Sequence, residues 1–443
     1  MNVDRKKSFI GNPITTNTNT IKGLQIFIAD LRTTQHSQDH ERRINSELVK
    51  IKQHFEPNGS GSRNFNNRNN NIRLDGYQRK KYIAKLAYIY ITTNTTKLND
   101  ILFGLDEMLN LLKSNHFAEK FMGYMILELL FEHEKVVNII GNKIYPRLLA
   151  DLSSNNDNFT ALALNLIGVV GSLPSNFAFN EEVVDKVFQI VRSPTSPQYL
   201  KKKSTLAFLA LLKNNLSILT EDIQRKQVWI QKIIGLLDDT DNYRVTLTSL
   251  PLVEYIAKHI DPSYCFRIIP QLTDILYTCV VLGTSDSGIY RFPTEYKFAG
   301  IPNPWLITKI VSLLNVLIAS PHELSNNNNT PLQVQSQCLH PADLDPETLN
   351  KLRKCAVEAI NLGNRNTNDV MQRIVQNTIL FSLIKFATKL DPSDEAIVNS
   401  VQALCQLLNS HEINMRYLTL DSLIQLCSSN GKVAIDAIRH DNL

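Results

Sequence analysis

Leu111-Leu112-Lys113-Ser114-Asn115-His116-Phe117-Ala118-Glu119-Lys120-Phe121-Met122-Gly123-Tyr124-Met125-Ile126-Leu127 is the stretch that decides how the rest of this chain reads. An apolar pair closes one helix, a short polar turn follows, and a second helix rich in apolar residues opens. The theme returns four times. Leu148-Leu149 leads through Ser153 to Asp157 and on to Ala161-Leu162-Ala163-Leu164. Ile190-Val191 leads through Ser193 and Pro197 to Lys203 and Leu206-Ala207-Phe208-Leu209. Leu236-Leu237 leads through Asp238 and Asp241 to Arg244 and Leu247, and Leu407-Leu408 leads through Asn409-Ser410-His411 to Arg416-Tyr417-Leu418.

The early copies recur every 37 to 46 residues, close to the roughly 40 to 47 of armadillo and HEAT repeats. Such repeats are helical hairpins that bury their apolar faces only by stacking on neighbours. Ordinary bundle periodicity gives no reason for five copies of one junction. The pattern predicts an all-α fold, a right-handed superhelical solenoid of armadillo/HEAT-like hairpins.

Composition agrees. Only 16 Gly and 17 Pro serve 443 residues, which suits long helices better than many short strands. No apolar run approaches the roughly 18 residues needed to span a membrane, and Met1-Asn2-Val3-Asp4-Arg5-Lys6-Lys7 lacks a signal-peptide core. The six Cys form no CxxC pair and have no spaced His partners, so they read as reduced thiols rather than disulfides or zinc ligands.

Taken in order, residues 1–20 are polar, without apolar periodicity, and read as a disordered tail; the solenoid is expected over 21–443. Leu24, Phe27, Ile28 and Leu31 mark a first helix, and Ile44, Leu48, Ile51 and Phe55 a second. The Gly/Ser/Asn-rich stretch at 56–73 cannot build a core and reads as a loop insertion. Two further insertions are expected at 283–304, before a helix from Trp305 to Leu317, and at 321–346.

Catalytic constellations are weak. No phosphate-cradling GxxxxGK[ST] or GxGxxG occurs. Gly283-Thr284-Ser285-Asp286-Ser287-Gly288 lacks the GxSxG spacing of a nucleophile turn and reads as a loop. Glu132-His133-Glu134 sets two carboxylates beside an imidazole, but consecutive helix residues diverge by about 100° and cannot jointly clasp a metal. The chain reads as a non-enzyme without metal or cofactor.

Charge is the other signal. Residues 1–85 hold 16 Lys or Arg against 7 Asp or Glu in a chain of net charge +5, so the body beyond them is mildly acidic. An anionic partner met at one end is the physical implication. The concentration peaks at Asp75-Gly76-Tyr77-Gln78-Arg79-Lys80-Lys81-Tyr82-Ile83-Ala84-Lys85-Leu86. Lys81 and Lys85, four apart, share a helix face. Tyr82, Ile83, Leu86 and Tyr90 make an apolar stripe for packing, leaving the other side charged.

At this point the residues resemble a family. Lys22-Gly23-Leu24-Gln25-Ile26-Phe27-Ile28-Ala29-Asp30-Leu31-Arg32 resembles the opening helix of the alpha-adaptins, large subunits of the plasma-membrane clathrin adaptor. Arg42-Arg43-Ile44-Asn45-Ser46-Glu47-Leu48 is similar to the next helix, and Leu74 to Leu86, with Asp-Gly-Tyr before the basic run, to the third. Glu119-Lys120, Gly123-Tyr124, Pro304-Trp305-Leu306 and Asn414-Met415-Arg416-Tyr417-Leu418-Thr419-Leu420 extend the match downstream. Gamma-adaptins of the Golgi and endosomal adaptor share the solenoid but not the Asp-Gly-Tyr with its basic triplet; a generic HEAT scaffold is the remaining alternative.

The resemblance implies a subunit of a heterotetramer with beta, mu and sigma partners. It would be cytoplasmic, peripheral on the plasma membrane at clathrin-coated pits, and would act in endocytosis and intracellular protein transport without a nucleic-acid partner. It implies phosphatidylinositol 4,5-bisphosphate binding by Lys22, Arg79, Lys80, Lys81 and Lys85, and contact of Arg32 with dileucine cargo signals. Family members carry a Lys before the Phe closing the second helix, where this chain has His54. Alpha-adaptins continue past the point matched by Asp441-Asn442-Leu443 into more solenoid, a hinge and an appendage. The chain is thus expected to be the N-terminal part of a trunk, meeting clathrin only indirectly. At about 1 kcal/mol per cation near an anionic leaflet, five cations give roughly 5 kcal/mol, too little for attachment by one patch.

Overall fold

The computed structural model describes residues 22–33, 37–55, 74–93, 97–173, 179–239, 242–284, 292–318, 338–365, 367–390 and 393–440. The tail at 1–20 and the insertion at 56–73 lie outside them. The chain divides into two compact units, 1–187 and 188–443.

The first unit holds α1 (Lys22–Thr33), α2 (Ser37–Phe55), α3 (Gly76–Thr92), α4 (Leu105–Leu111), α5 (Phe117–Leu130), α6 (Glu134–Leu152), α7 (Asp157–Val170) and the first turns of α8 (Glu181–Arg192). Helices α4 with α5 and α6 with α7 form hairpins, and α3, α5 and α7 pack successively on one another. The polar turns do local work. Ser114 Oγ accepts from the His116 N–H at 3.0 Å, and Asn156 caps α7 by accepting from the Asn158 N–H at 3.0 Å, satisfying donors that a helix start leaves open. Gly123 lets α5 approach α4: a Cβ there would stand 3.0 Å from Leu111 Cβ and 3.2 Å from the Met108 carbonyl.

The second unit continues with α9 (Gln198–Asn214), the single turn α10 (Ser217–Thr220), α11 (Ile223–Ile234), α12 (Tyr243–His259), α13 (Ile269–Tyr277), α14 (Pro304–Leu317), α15 (Pro346–Asn364), α16 (Val370–Leu390), α17 (Asp394–Leu408) and α18 (Ile413–His440). Helix α12 packs on α9 and α14, α14 on α16, α13 on α15, and α15/α16 and α17/α18 close as hairpins. Helix α18 breaks at Gly431, whose φ of 37° suits glycine. After the break, Ala434 and Ala437 join Val401, Leu404, Leu423 and Leu426 in one core. Four of the five quoted junctions fall between helices that pack on each other, α4/α5, α6/α7, α11/α12 and α17/α18, the fifth falls between α8 and α9, and the described residues form the expected all-α solenoid.

Three expectations need correction. The break at 283–304 contains regular structure among its described residues: Lys297–Phe298 pairs antiparallel with Ile301–Pro302. The turn between them places Ala299 and Gly300 at φ 48° and 77°, the sign a tight two-residue hairpin demands. Phe292 stacks on Tyr243 (5.7 Å) and Phe298 meets Trp305 (4.8 Å), so aromatic contacts tie it to α12 and α14. The following helix starts at Pro304, one residue early, because proline fits a helix's first position. Second, the described end of 321–346 packs back on the helices, since Leu339 N–H donates to the Leu317 carbonyl at 2.9 Å and Pro341–Asp343 forms a helical turn; residues 321–337 lie outside the described residues. Third, the helical stretch Pro262–Leu282 is long and apolar enough to cross a membrane. Its apolarity has an internal use: Cys265, Ile268, Leu272, Leu276, Cys279 and Val280 are buried, against α12, α14 and α15.

Candidate functional site

Helix α3 starts where it does because Asp75 caps it, accepting from the Gln78 N–H at 2.6 Å. Gly76 follows where a Cβ would run into the Glu119 carboxylate of α5, so a larger residue would have to displace that side chain. That carboxylate accepts from Ser114 Oγ at 2.6 Å. Asp-Gly-Tyr is therefore a cap, a clearance and a surface ring in sequence. Helices α1, α2, α4 and α5 all pack on α3, so it has no wholly solvated side.

The cations are distributed accordingly. Lys80 lies on the buried face, 5 % exposed, with Nζ 5.7 Å from the Tyr77 ring centroid. Arg79 Nε donates to Glu107 of α4, and its Nη2 reaches the Leu74 carbonyl at 3.3 Å. Lys85 Nζ donates to Glu47 of α2 and lies 5.2 Å from the Phe27 ring. The predicted two-sided helix is thus corrected: its packing face includes Lys80, and two of its cations carry carboxylate partners. Lys81 differs. Its stem crosses the first turn of α1, where a Cβ on Gly23 would meet Lys81 Cδ at 2.8 Å. Its Nζ stands 4.5 Å from the Tyr82 ring, and among the described residues it makes no ion pair.

Helices α1 and α3 therefore meet at Gly23 and Lys81, and Lys22 opens α1 one residue earlier. Arg32 belongs elsewhere: it is exposed in the last turn of α1, about 15 Å of helical rise from Lys22. Its neighbour Asp30 is held by Arg43 of α2. The exposed side of α1 carries Ile26, 70 % accessible, beside Ala29.

Three participants had no direct sequence signal. Glu107 and Glu47 come from other helices, 28 and 38 positions from their partners. His54 was visible only as a missing cation; the structure stacks it on Tyr82 with ring centroids 4.7 Å apart and planes 19° from parallel. Burial pushes the Tyr82 hydroxyl above the usual phenol range, with Lys85 pulling down and Glu47 pushing up.

The arrangement can receive an anion where α1 begins and Lys81 crosses it. It offers no converging acid, base and nucleophile.

Comparison with known proteins gives a coherent picture. The model of the adaptin N terminal region matches residues 40–443. The AP-2 complex subunit alpha of Saccharomyces cerevisiae is 61 % identical over 441 residues, covering 100 % of this chain and 42 % of that protein. The AP-2 complex subunit alpha of Schizosaccharomyces pombe is 27 % identical over 95 % of this chain and 40 % of its own length. The chain thus spans well under half the length of these relatives. A crystal structure of importin beta aligns over 94 % of this chain and 52 % of that one, at 9 % identity and a TM-score of 0.47.

Proposed function

The chain belongs to the adaptin family, and on that premise we propose that it is the alpha-type large subunit of a heterotetrameric clathrin adaptor. In this reading it works with beta, mu and sigma subunits in endocytosis, on the cytoplasmic side of the plasma membrane. The relatives just named are alpha subunits, which favours alpha over gamma.

Within that role, the α1–α3 junction binds the headgroup of phosphatidylinositol 4,5-bisphosphate. The observation that carries this reading is Lys81, laid across the first turn of α1 at Gly23 without a carboxylate partner among the described residues. A multiply charged phosphate group is favoured both by lysine donors and by a helix amino end. Lys22 is the second contact; Arg79, Lys80 and Lys85 set the field around it. Arg32, at the far end of α1 beside exposed Ile26, receives the acidic part of dileucine cargo signals next to the sigma subunit.

The test is sedimentation with bisphosphate-containing vesicles, using the adaptor core assembled around this chain. Lys22→Glu with Lys81→Glu is the informative pair, because reversing Lys80, Arg79 or Lys85 also breaks packing or ion pairs. Loss of binding with the complex intact is expected. Undiminished binding would place the lipid site elsewhere. Arg32→Glu should leave vesicle binding alone and weaken dileucine-peptide binding.

A further inference from the structure

We infer that Ser196 is a phosphorylation site, and that the phosphate it receives is held by the cations around the start of α9. The turn from α8 to α9 reads Ser193-Pro194-Thr195-Ser196-Pro197. A proline follows each serine, and Ser196 also has Pro194 two residues before it. That order is what proline-directed protein kinases read in an extended substrate. Pro197 holds Ser196 to extended backbone, as such a reading requires. Pro194, Thr195 and Pro197 are exposed and Ser196 is half-exposed. Ser193 is engaged locally, its Oγ 3.0 Å from Thr195 Oγ1, whereas the Ser196 hydroxyl has no partner among the described residues.

The second ground is the charge around this turn. A helix start favours negative charge, since its first N–H groups lack partners and the positive end of the dipole lies there. Helices α4 to α8 each carry Asp or Glu in the first turn. Helix α9 carries none and sets Lys201-Lys202-Lys203 in its first two turns. Its cap position is Pro197, which makes no side-chain cap bond. Lys201 bends back over the turn, with Nζ 3.5 Å from the Pro194 carbonyl, and Arg192 closes α8 on the other side. Among the described residues Arg192, Lys201 and Lys202 make no ion pair. The arrangement is unfavourable in the unmodified chain, and departures of this kind from local preference gather at functional sites. A phosphoserine brings about −1.5 to −2 of charge to that pole and reverses the balance.

In the reaction the γ-phosphoryl group of a nucleoside triphosphate passes to Ser196 Oγ. The O–P bond to the leaving nucleoside diphosphate breaks, the Oγ–P bond forms, and the hydroxyl proton goes to solvent. The uncapped first turn of α9 opens to let an enzyme reach the acceptor. Once in place, the phosphate pairs with Lys201, Lys202 and Arg192 and fixes the α8–α9 turn. Nothing in this depends on the phosphoinositide reading of the α1–α3 junction.

The experiment treats the full chain with a mitogen-activated protein kinase and magnesium ATP, and peptide mass spectrometry locates the phosphate. Wild type and Ser193→Ala should carry it on Ser196, and Ser196→Ala should not carry it in this turn. Amide hydrogen exchange then compares the phosphorylated and unmodified chains. Protection over 198–204 should rise about two- to fivefold on phosphorylation, and the rise should shrink at high salt. Lys201→Ala combined with Lys202→Ala should still accept phosphate but lose most of that rise. This separates a phosphate held by the turn from one merely attached to it. An unlabelled Ser196 in the folded wild-type chain, or phosphate on Ser193 alone, overturns the site. Unchanged or lower protection after phosphorylation, or an equal rise in the lysine variant, overturns the role given to the cations.

Discussion

Replacing Lys120 by Met removes the centre of a buried polar clasp in the first unit. Lys120 Nζ donates to Asp151 Oδ1 and to the Leu112 carbonyl, both at 2.6 Å. Tyr124 OH donates to Asp151 Oδ2 at 2.6 Å, and Thr160 Oγ1 to the Asp151 carbonyl at 2.9 Å. One network thus joins the end of α4 to α5, α6 and α7. The two charged side chains are 6 % and 7 % exposed, so the variant strands a carboxylate in the interior with Tyr124 as its side-chain donor. Burial first, and then Asp151, hold the Tyr124 phenol well above its usual range, so it stays a donor and cannot replace the lost cation. Breaking one partner of such a pair costs about 3–5 kcal/mol. Both tryptophans, Trp229 and Trp305, lie in the second unit, so tryptophan fluorescence is blind to the event. Amide hydrogen exchange across α5, α6 and α7 is the assay, and protection there should fall by about two to four orders of magnitude. Adding Asp151→Leu to Lys120→Met should recover most of the loss, since an apolar replacement of the whole pair is often neutral. A single variant within about fivefold of wild type, or a double variant no better than the single, would refute the reasoning.

Three further outcomes follow from the geometry. Glu107→Gln and Glu47→Gln release Arg79 and Lys85, so each should tighten binding to bisphosphate vesicles by up to about fivefold, measured by sedimentation, while lowering stability by about 1–3 kcal/mol. Burial pushes the Cys265, Cys279 and Cys355 thiols up to about 12. At pH 8 about one in ten thousand is thiolate, so iodoacetamide should label half-exposed Cys427 first and those three only after unfolding, as peptide mass spectrometry will read. Because their folded values exceed the unfolded one, stability is held below about pH 9 and lost as pH rises beyond it. Gly123→Leu, which forces α5 off α4, should lower the thermal midpoint of the first unit by several degrees, about 2–4 kcal/mol of overpacking, followed by circular dichroism.

The solenoid was legible because its signal is local and repeated: an apolar pair, a polar turn that caps, a second apolar helix. Leu111-Leu112 with Ser114-Asn115, and Leu407-Leu408 with Asn409-Ser410, each place the turn within a residue or two of where it lies. The α3 surface was less legible for a different reason. Whether a lysine is a solvated charge depends on what stands opposite it, and Glu47 and Glu107 arrive from helices the basic run does not identify. Lys80 buries its stem although its neighbours in sequence suggest solvent, because long cationic side chains lay apolar stems along packed surfaces. The Lys297–Pro302 hairpin was hidden in a Gly/Pro-rich stretch whose composition suits a loop equally well.

These pairings alter the mechanics of the proposed membrane contact. Five independent cations would add to roughly 5 kcal/mol, but Arg79 and Lys85 are already held by carboxylates, and a phosphate must displace those partners before it gains from them. Lys81 and Lys22 alone contribute about 2 kcal/mol, a dissociation constant on the order of tens of millimolar. A site so weak is silent on its own, and even when a second contact in the same assembly has docked, an effective concentration in roughly the millimolar range fills it only to a few per cent, so tight attachment also needs Arg79 and Lys85 to be drawn away from their carboxylates. The carboxylates tie α3 to α4 and α2, and in the proposed contact they would also oppose attachment of the basic helix to anionic lipid until a second contact has formed. On the proposed function, a chain whose Glu47 and Glu107 were neutral would bind anionic vesicles more tightly and depend less on the second contact.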